Sequence, residues 1–171
     1  MSTTSVARPQ HNMQESHYLT FMLRQEMFAI GILNIKEILE YGKLTSVPMM
    51  PAFIKGVINL RGSVVPVVDL SARFDNRPCH IGKRTCIVIL EVTTEVVQQV
   101  IGVIVDAVSA VLDIPADNIE PAPAFGAQIR ADFIEAMGKI NEKFVIILNV
   151  ANVLSVGELA TDRSRPGAPT D

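Results

Sequence analysis

The side chains that could perform chemistry are few and widely spaced in this chain. Its histidines are His11, His17 and His80, and its cysteines are Cys79 and Cys86. The six residues between the cysteines do not match a zinc-ligand spacing, and no histidine stands at a convincing triad or ligand spacing. We therefore expect two reduced thiols, no metal site and no catalytic residue.

Two other patterns fall short of an active site. Glu37 and Glu40 would share the face of a short helix, where they form a solvated edge, or where Glu37 contacts a partner. Gly56 and Gly62 bracket a strand but lack the Lys and the following helix of a phosphate-binding loop. No cofactor is indicated, so the residue types favour recognition of another protein.

The segment PAFIKGVINLRGSVVPVVDL, residues 51–70, has the pattern of a recognition strand. Asn59 and Arg61 share one predicted strand face with Val57. At the strand end Arg61 could present its planar guanidinium to a partner, or instead pair with a carbonyl or an acid of its own chain. Pro66 cannot donate to a ladder, which predicts a bulge or an edge strand.

A mostly β chain must position these residues. Between the predicted second and third strands, the spacing of Ile32, Ile35, Ile38 and Leu39 instead predicts a short helical turn. Many short strands separated by Gly and Pro favour small barrels or a sandwich. The predicted strands, rich in Val and Ile, are 18–24, 28–32, 57–60, 64–68, 86–92, 100–105 and 144–148.

An internal repeat relates two parts of the chain. Shifting the sequence by 73 residues aligns 28–39 with 101–112, and shifting it by 80 aligns 64–74 with 144–154. In the second pair Asp69 meets Asn149, and both are plausible caps for a short helix after a strand. Two similar halves, about 18–74 and 85–155, are therefore predicted.

Composition bounds the remaining classes. The 171 residues are 49% hydrophobic and 19% charged, as in a globular domain, with a net charge of −3 and no cluster of Lys and Arg along the chain. Trp is absent and Tyr numbers two, which argues against stacking on nucleic acid. Flexible tails are predicted at 1–16 and 157–171 around a domain over 17–156. No secretory signal or spanning apolar run is seen, so we expect a cytoplasmic protein.

The segment PAFIKGVINLRGSVVPVVDLSARF, residues 51–74, resembles the signature of the CheW family, the coupling proteins of bacterial chemotaxis. Segments 18–39, 100–123 and 144–155 are also similar to the family in order and spacing, so the resemblance covers about 18–155. Two departures are a longer hairpin connection in LEVTTEVVQQVIG and the unusual loop RPCHIGKR, residues 77–84.

This resemblance implies an all-β fold of two intertwined, five-stranded SH3-like barrels with short helices and a shared hydrophobic core. It implies a non-enzymatic adaptor without a cofactor, which couples the cytoplasmic tip of chemoreceptors to the regulatory domain of the histidine kinase CheA. Other CheW-like domains would join it edge to edge in rings. Such a protein is cytoplasmic, is recruited to membrane-associated receptor arrays without inserting into the membrane, and binds no nucleic acid.

Carried over residue by residue, the resemblance assigns two sets of contacts, some of whose apolar members could instead belong to the core. The expected receptor-binding set is Ile32, Ile35, Glu37, Asn59, Arg61, Cys86, Ile87 and Val88. The expected kinase-binding set is Val64, Val65, Gly102 and Val108.

Three alternatives stay open at this point. The same fold could serve a chemosensory-like pathway that controls development, gene expression or pili. A small-barrel binder of nucleic acid would show a salt-dependent shift of labelled oligonucleotide. An enzyme of another type would need a pocket with perturbed titrating groups.

Overall fold

The structure, a computed structural model, describes residues 17–75, 77–93, 98–121 and 131–154. The predicted tails at 1–16 and 157–171 and the 94–97 connection lie outside these residues. The strands are β1 His17–Leu23, β2 Glu26–Gly31, β3 Ile35–Glu40, β4 Ile54–Leu60, β5 Ser63–Asp69, β6 Cys86–Thr93, β7 Gln98–Val105, β8 Ala107–Asp113, β9 Ile119–Glu120, β10 Ile134–Ile140 and β11 Lys143–Leu148. The α-helices are α1 Leu70–Asp75 and α2 Val150–Val153, and 3-10 turns span Ile32–Asn34, Ala116–Asn118 and Ala131–Phe133.

The strands form two sheets that each draw on both halves of the chain. Sheet 1 has the order β8-β1-β2-β11-β10-β9 and sheet 2 the order β3-β6-β7-β5-β4. Because β1 and β2 lie in one sheet while β3 to β5 lie in the other, the two halves are intertwined. The all-β prediction of two five-stranded units is confirmed, with a two-residue strand, β9, added to sheet 1.

The sequence repeat has a counterpart in strand pairing. The parallel pair of β5 with β7 places Val67 opposite Gly102, and the parallel pair of β11 with β2 places Ile147 opposite Ala29. These pairs are related by the shifts of 80 and 73 residues. The spatial order of the two sheets is therefore the same over five strands. The corresponding strands, in order, are β8, β1, β2, β11 and β10 in sheet 1 and β3, β6, β7, β5 and β4 in sheet 2.

The helical turn predicted from Ile32 to Leu39 is present only in its first part, as the 3-10 turn Ile32–Asn34, and is wrong from Ile35 onward. The 3-10 turn ends at Asn34, and β3 follows at once, paired with β6. A bulge lies between Ile35 and Glu37, where the register shifts, so that Ile35 and Ile38 reach one face at a three-residue spacing that imitates a helix. Glu37 and Glu40 consequently lie on opposite faces of a strand, not on one helical edge.

Pro66 lies at a local edge of sheet 2, as its missing N–H predicts. β5 pairs with β4 along its length, with Pro66 opposite Val57, but its pairing with β7 begins only at Val67. The start of β5 therefore has one neighbouring strand, and the proline interrupts no ladder on its other side.

Three apolar clusters hold the sheets together. The shared core lies between the sheets and includes Phe21, Phe28 and Val88. A second cluster, which we call the sheet 2 core, includes Ile89, and a third, the sheet 1 core, includes Ile147. Along β6 successive residues alternate between the shared core and the sheet 2 core, which explains why this strand reads as a continuous apolar run. The predicted shared hydrophobic core is confirmed.

Both predicted helix caps are present. The Asp69 Oδ1 accepts hydrogen bonds from the N–H groups of Ser71 and Ala72 at the start of α1. The Asn149 Oδ1 accepts one from Asn152 in α2. The repeat therefore preserves the strand-to-helix junction as well as the strand order.

Candidate interaction surface

Arg61 is presented by a two-residue turn between β4 and β5. Arg61 and Gly62 have φ values of 52° and 90°, so both are left-handed, as this tight hairpin connection requires. The Gly62 N–H donates to the Asn59 Oδ1 at 2.8 Å, which fixes the turn from its preceding strand. Asn59 therefore positions Arg61, and the glycine provides the conformation that other residues adopt only with strain.

The guanidinium of Arg61 pairs with Glu37 across the two edges of sheet 2. Its Nη1 donates to the Glu37 Oε2 at 2.6 Å and its Nη2 to the Oε1 at 3.1 Å. This bidentate hydrogen bonding, aided by the positive charge, lowers the pKa of Glu37, and the same bond raises the pKa of Arg61. Of the alternatives for Arg61, the structure therefore shows a pair with an acid of its own chain.

An apolar strip runs along the opposite side of β3. Ile35 and Cys86 are half-buried and pack against the shared core, and Ile38 is exposed opposite Val88. Ile38 is not in the expected contact set, although it lies on the same face of β3 as Ile35. We call Ile35, Glu37, Ile38, Arg61 and Cys86 together the β3 surface.

Other members of the expected receptor set lie behind this surface. Val88 belongs to the shared core and Ile87 to the sheet 2 core, and both side chains are buried. Ile32 is half-buried in the 3-10 turn that precedes β3. Ile87 and Val88 therefore pack in the cores on β6, the strand that pairs with β3, and neither side chain is accessible to a partner in this conformation.

The expected kinase set is divided between the sheets. Val64 is 71% exposed and lies opposite Asn59, next to the Arg61 turn, whereas Val65 is buried in the sheet 2 core. Val108 lies on β8 at the edge of sheet 1 and is half-buried against the shared core. Val64 is therefore the exposed member of this set, and it adjoins Arg61 of the β3 surface.

Gly102 is buried where β7 passes closest to its neighbours. A Cβ added there would lie 2.9 Å from the Ile87 Cγ2 and 3.2 Å from the Ile89 Cδ1. Any larger residue would have to displace the side chains of Ile87 and Ile89 on β6, the strand that pairs with β3. A substitution at Gly102 would therefore act on the surface through the sheet 2 core.

A cleft of about 320 Å³ lies near the boundary of the two sheets and was not predicted. It is lined by Tyr18, Leu33, Asn34, Val92 and Glu135, among others. Partial burial, and secondarily the charge of Glu135, raises the pKa of the Tyr18 hydroxyl. Leu33, one of its lining residues, is exposed.

The described residues contain neither a cluster of metal ligands nor a membrane-spanning helix. In the described ranges, no three His, Cys, Asp or Glu residues are grouped so that they could hold a metal ion. No helix among those same residues is long and apolar enough to cross a membrane.

Two intertwined sheets of repeated strand order, with a polar and apolar surface on the edge strand β3, define a fold that can be compared with known families. The model of the CheW-like domain matches residues 17–158. The chain belongs to the CheW-like family.

Its relatives cover nearly the same extent. The Chemotaxis protein CheW of Klebsiella aerogenes is 35% identical over 143 residues, 84% of this chain and 84% of that protein. Protein FrzA of Myxococcus xanthus is 32% identical over 143 residues, covering 82% of this chain and 86% of that protein. The crystal structure of the scaffolding protein TtCheW from Thermoanaerobacter tengcongensis matches with a TM-score of 0.74 and 33% identity, over 85% of this chain and 92% of that one.

Proposed function

We propose that this chain is a non-enzymatic adaptor that couples chemoreceptors to the histidine kinase CheA. The observation that carries the proposal is the family match across residues 17–158, together with relatives named for chemotaxis and for scaffolding. The protein acts in the cytoplasm and is recruited to receptor arrays at the membrane. Its role is to bind two partners at once.

The β3 surface is the proposed receptor contact. Ile35, Ile38 and Cys86 form an apolar strip of the kind that receives the apolar side of a helix, such as a receptor's helical tip. The ion pair of Glu37 and Arg61 lies on the other face of the same edge strand, where it would set the register of the docked helix.

The proposed kinase contact begins at Val64. This valine is exposed although it lies in a strand whose next residue is fully packed, so it is available to a partner at the hairpin end of sheet 2. Val65, Gly102 and Val108 support the contact through the cores. The regulatory domain of CheA, and other CheW-like domains in rings, are the proposed partners.

Coupling by such an adaptor needs no chemical step. If receptor and kinase each bind the adaptor, and the receptor's signalling state alters the stability of that assembly, then kinase conformations are populated differently in each state. The adaptor transmits this difference as a coupling free energy between its two surfaces.

Co-sedimentation with receptor-bearing membranes tests the proposal. The purified chain should pellet with membranes that carry receptors of its own organism, and should recruit CheA to the pellet. Membranes without receptors provide the control. A chain that stays in the supernatant with both partners present contradicts the coupling function.

Charge exchange at the ion pair tests the receptor contact. Arg61→Glu places two carboxylates together, and we expect receptor binding to weaken by on the order of tenfold while the domain stays folded. The double variant Glu37→Arg with Arg61→Glu restores the pair in reverse. If binding returns, the pair acts by holding β3 to the turn; if binding stays weak, Arg61 itself contacts the receptor.

The control for charge alone is Lys139→Glu, which makes the same change in net charge as Arg61→Glu at an exposed position of β10 in sheet 1. It should leave receptor binding unchanged. Unchanged co-sedimentation of the folded Arg61→Glu variant removes Arg61 from the contact set.

Protein FrzA supports a second candidate for the output. Its name differs from those of the chemotaxis relatives, although its similarity covers the same length. The same adaptor chemistry would then serve another chemosensory-like pathway. Deleting the gene and scoring both motility and development separates the two outputs.

A further inference from the structure

Two segments of the chain that are distant in sequence carry an excess of positive charge. The whole chain has 15 basic and 18 acidic residues. Segments 41–56 and 77–90 contain five of the basic residues and no Asp or Glu, so the rest of the chain has 10 basic against all 18 acidic residues. The five are Lys43, Lys55, Arg77, Lys83 and Arg84.

The β3–β6 ladder brings these segments together. Glu40 pairs with Cys86 at the end of the ladder, and the Tyr41 N–H then donates to the Thr85 carbonyl at 3.1 Å. Lys43 lies two residues after Tyr41 and Lys83 two residues before Thr85, so both basic segments leave the ladder at the same end of sheet 2. Tertiary structure thus brings together basic segments that are distant in the linear sequence.

The loop that carries Lys83 and Arg84 is fixed by hydrogen bonds. The Cys79 N–H donates to the buried Asp69 Oδ2 at 3.0 Å, which ties the start of the loop to α1. The Gly82 N–H donates to the Thr85 Oγ1 at 2.7 Å, and the Thr85 N–H donates to the Gly82 carbonyl at 3.3 Å. The basic side chains thus extend from a backbone of defined shape.

We call Lys43, Lys83 and Arg84 the basic rim. All three are exposed, and within the part of the chain that the structure describes none has a carboxylate at ion-pair distance. Ile81, in the same loop, is 42% exposed. Fixed, unneutralised charge beside an exposed apolar side chain is a common composition for the edge of a protein interface.

We propose that the basic rim docks a carboxylate-rich segment of a protein partner. Charge complementarity identifies the chemistry of the occupant, and the fixed loop favours a partner with charges in a matching order. The rim is continuous with the β3 surface, because Arg84 lies two residues before Cys86. This inference goes beyond the coupling role, since it concerns the chemistry of a contact that the proposed receptor and kinase residues do not include.

The neighbouring aromatic residues argue for protein over nucleic acid. Tyr41 packs against the sheet 2 core, and Phe53 is buried in the shared core. Neither offers the exposed ring on which bases stack. An anionic membrane would need positive charge but no fixed order of charges, so the hydrogen-bonded loop favours a protein segment.

Binding of a labelled, glutamate-rich peptide tests the proposal. The intact chain should bind the peptide at low ionic strength and lose affinity as salt rises above about 0.1 M, where surface charges are screened. Lys83→Glu with Arg84→Glu should weaken binding by about tenfold or more. A matched control, Lys139→Glu with Lys143→Glu, changes the net charge by the same amount at exposed positions of β10 and β11 and should change affinity by less than about twofold.

A milder variant keeps the test decisive if the reversed charges perturb the fold. Lys83→Gln with Arg84→Gln removes the charge without adding acid, and it should lose binding in the same direction. Thermal unfolding of every variant identifies any that is misfolded.

Several results would overturn the proposal. One is a titration in which the intact chain shows no binding of the peptide. Another is an equal loss of peptide affinity in the rim variant and the control variant. Stronger rim-dependent binding to phosphatidylglycerol vesicles would identify a membrane contact instead, and stronger binding to oligothymidine would identify nucleic acid. Receptor co-sedimentation is scored separately, so failure here leaves the coupling proposal untouched.

Discussion

Replacing Asp69 with alanine should destabilise the domain more than the equivalent change at Asn149. The Asp69 side chain is 1% exposed and accepts three backbone N–H groups: those of Ser71 and Ala72 on one oxygen and that of Cys79 on the other. Asn149 accepts one, from Asn152 at 3.0 Å. The two positions are related by the repeat, so each is the natural control for the other.

The magnitude follows from these bonds. Losing a helix cap costs about 1 kcal/mol, and losing a buried hydrogen bond to a charged acceptor costs about 1.5–3 kcal/mol. Asp69→Ala should therefore lower the free energy of unfolding by about 3 kcal/mol, whereas Asn149→Ala should lower it by about 1 kcal/mol. For a domain of this size, these losses correspond to falls in Tm of roughly 6–12 °C and roughly 2–4 °C.

Asp69→Asn separates the two functions of the carboxylate. Its side-chain oxygen can still cap α1, as that of Asn149 caps α2, but its amide nitrogen would face the Cys79 N–H, donor against donor. We expect a loss of about 1–2 kcal/mol, between those of the wild type and Asp69→Ala. The reverse variant, Asn149→Asp, should change stability by less than about 0.5 kcal/mol.

Equilibrium unfolding in urea measures these differences, with the slope of the transition as a check on the denatured state. Equal losses for Asp69→Ala and Asn149→Ala would refute the assignment of the extra stability to the Cys79 bond. So would an Asp69→Asn variant as stable as the wild type. Loss of the Cys79 hydrogen bond should also loosen the loop that carries the basic rim. Faster exchange of the Cys79 amide hydrogen would report this loosening.

Three further outcomes are expected. Burial, followed by the charge of Asp69 and a hydrogen bond to it, raises the pKa of the Cys79 thiol from 9.0 to about 12. The folded state therefore holds this proton more tightly than the unfolded state does. The stability that this difference contributes is complete below pH 9.0 and is lost as the pH rises towards about 12. Cys79→Ser should flatten that loss in unfolding experiments across this range, and an unchanged pH profile would contradict the assignment. Gly102→Ala should cost about 1–3 kcal/mol in thermal unfolding because its Cβ meets Ile87 and Ile89, whereas Gly31→Ala, whose nearest contact is at 4.0 Å, should not show this overpacking loss. Arg73 lies over the rings of Phe53 and Phe133, with its carbon Cζ at 4.7 and 4.9 Å from their centroids, and its Nε donates to the Val153 carbonyl. Arg73→Met should lower the free energy of unfolding by about 2 kcal/mol. A loss below about 0.5 kcal/mol would show that these contacts contribute little.

Local patterns in the sequence predicted most of the strands because their residues are buried on at least one face. Val64 to Val68 and Cys86 to Val92, for example, fall within β5 and β6. Their β-branched side chains suit a pleated surface that packs on a core, so composition alone carries the signal. The strand β10 was missed because Gly138 and Lys139 interrupt its apolar pattern, and its place is set by pairing with β11.

The helical turn predicted from Ile32 to Leu39 failed beyond Asn34 for a different reason. A bulge in an edge strand moves one residue out of the ladder and converts a period of two into a spacing of three. A helix and a bulged strand then share the same apolar pattern, and only pairing with β6 distinguishes them. A similar register shift occurs in β8, between Val108 and Ala110, so the repeat duplicated the misleading spacing.

The sequence by itself determined the all-β class, the duplication, the two helix caps and the family resemblance, because each depends on residues near one another in the chain or on a constant offset. Tertiary structure alone decided that Arg61 pairs with Glu37, that the side chains of Ile87 and Val88 are buried, and that the basic segments of Lys43 and Lys83 meet at one end of sheet 2. These contacts join residues at least 24 positions apart, through the pairing of β3 with β6 and the ion pair between β3 and the Arg61 turn. No local pattern records them, because their geometry exists only once the edges of sheet 2 have come together.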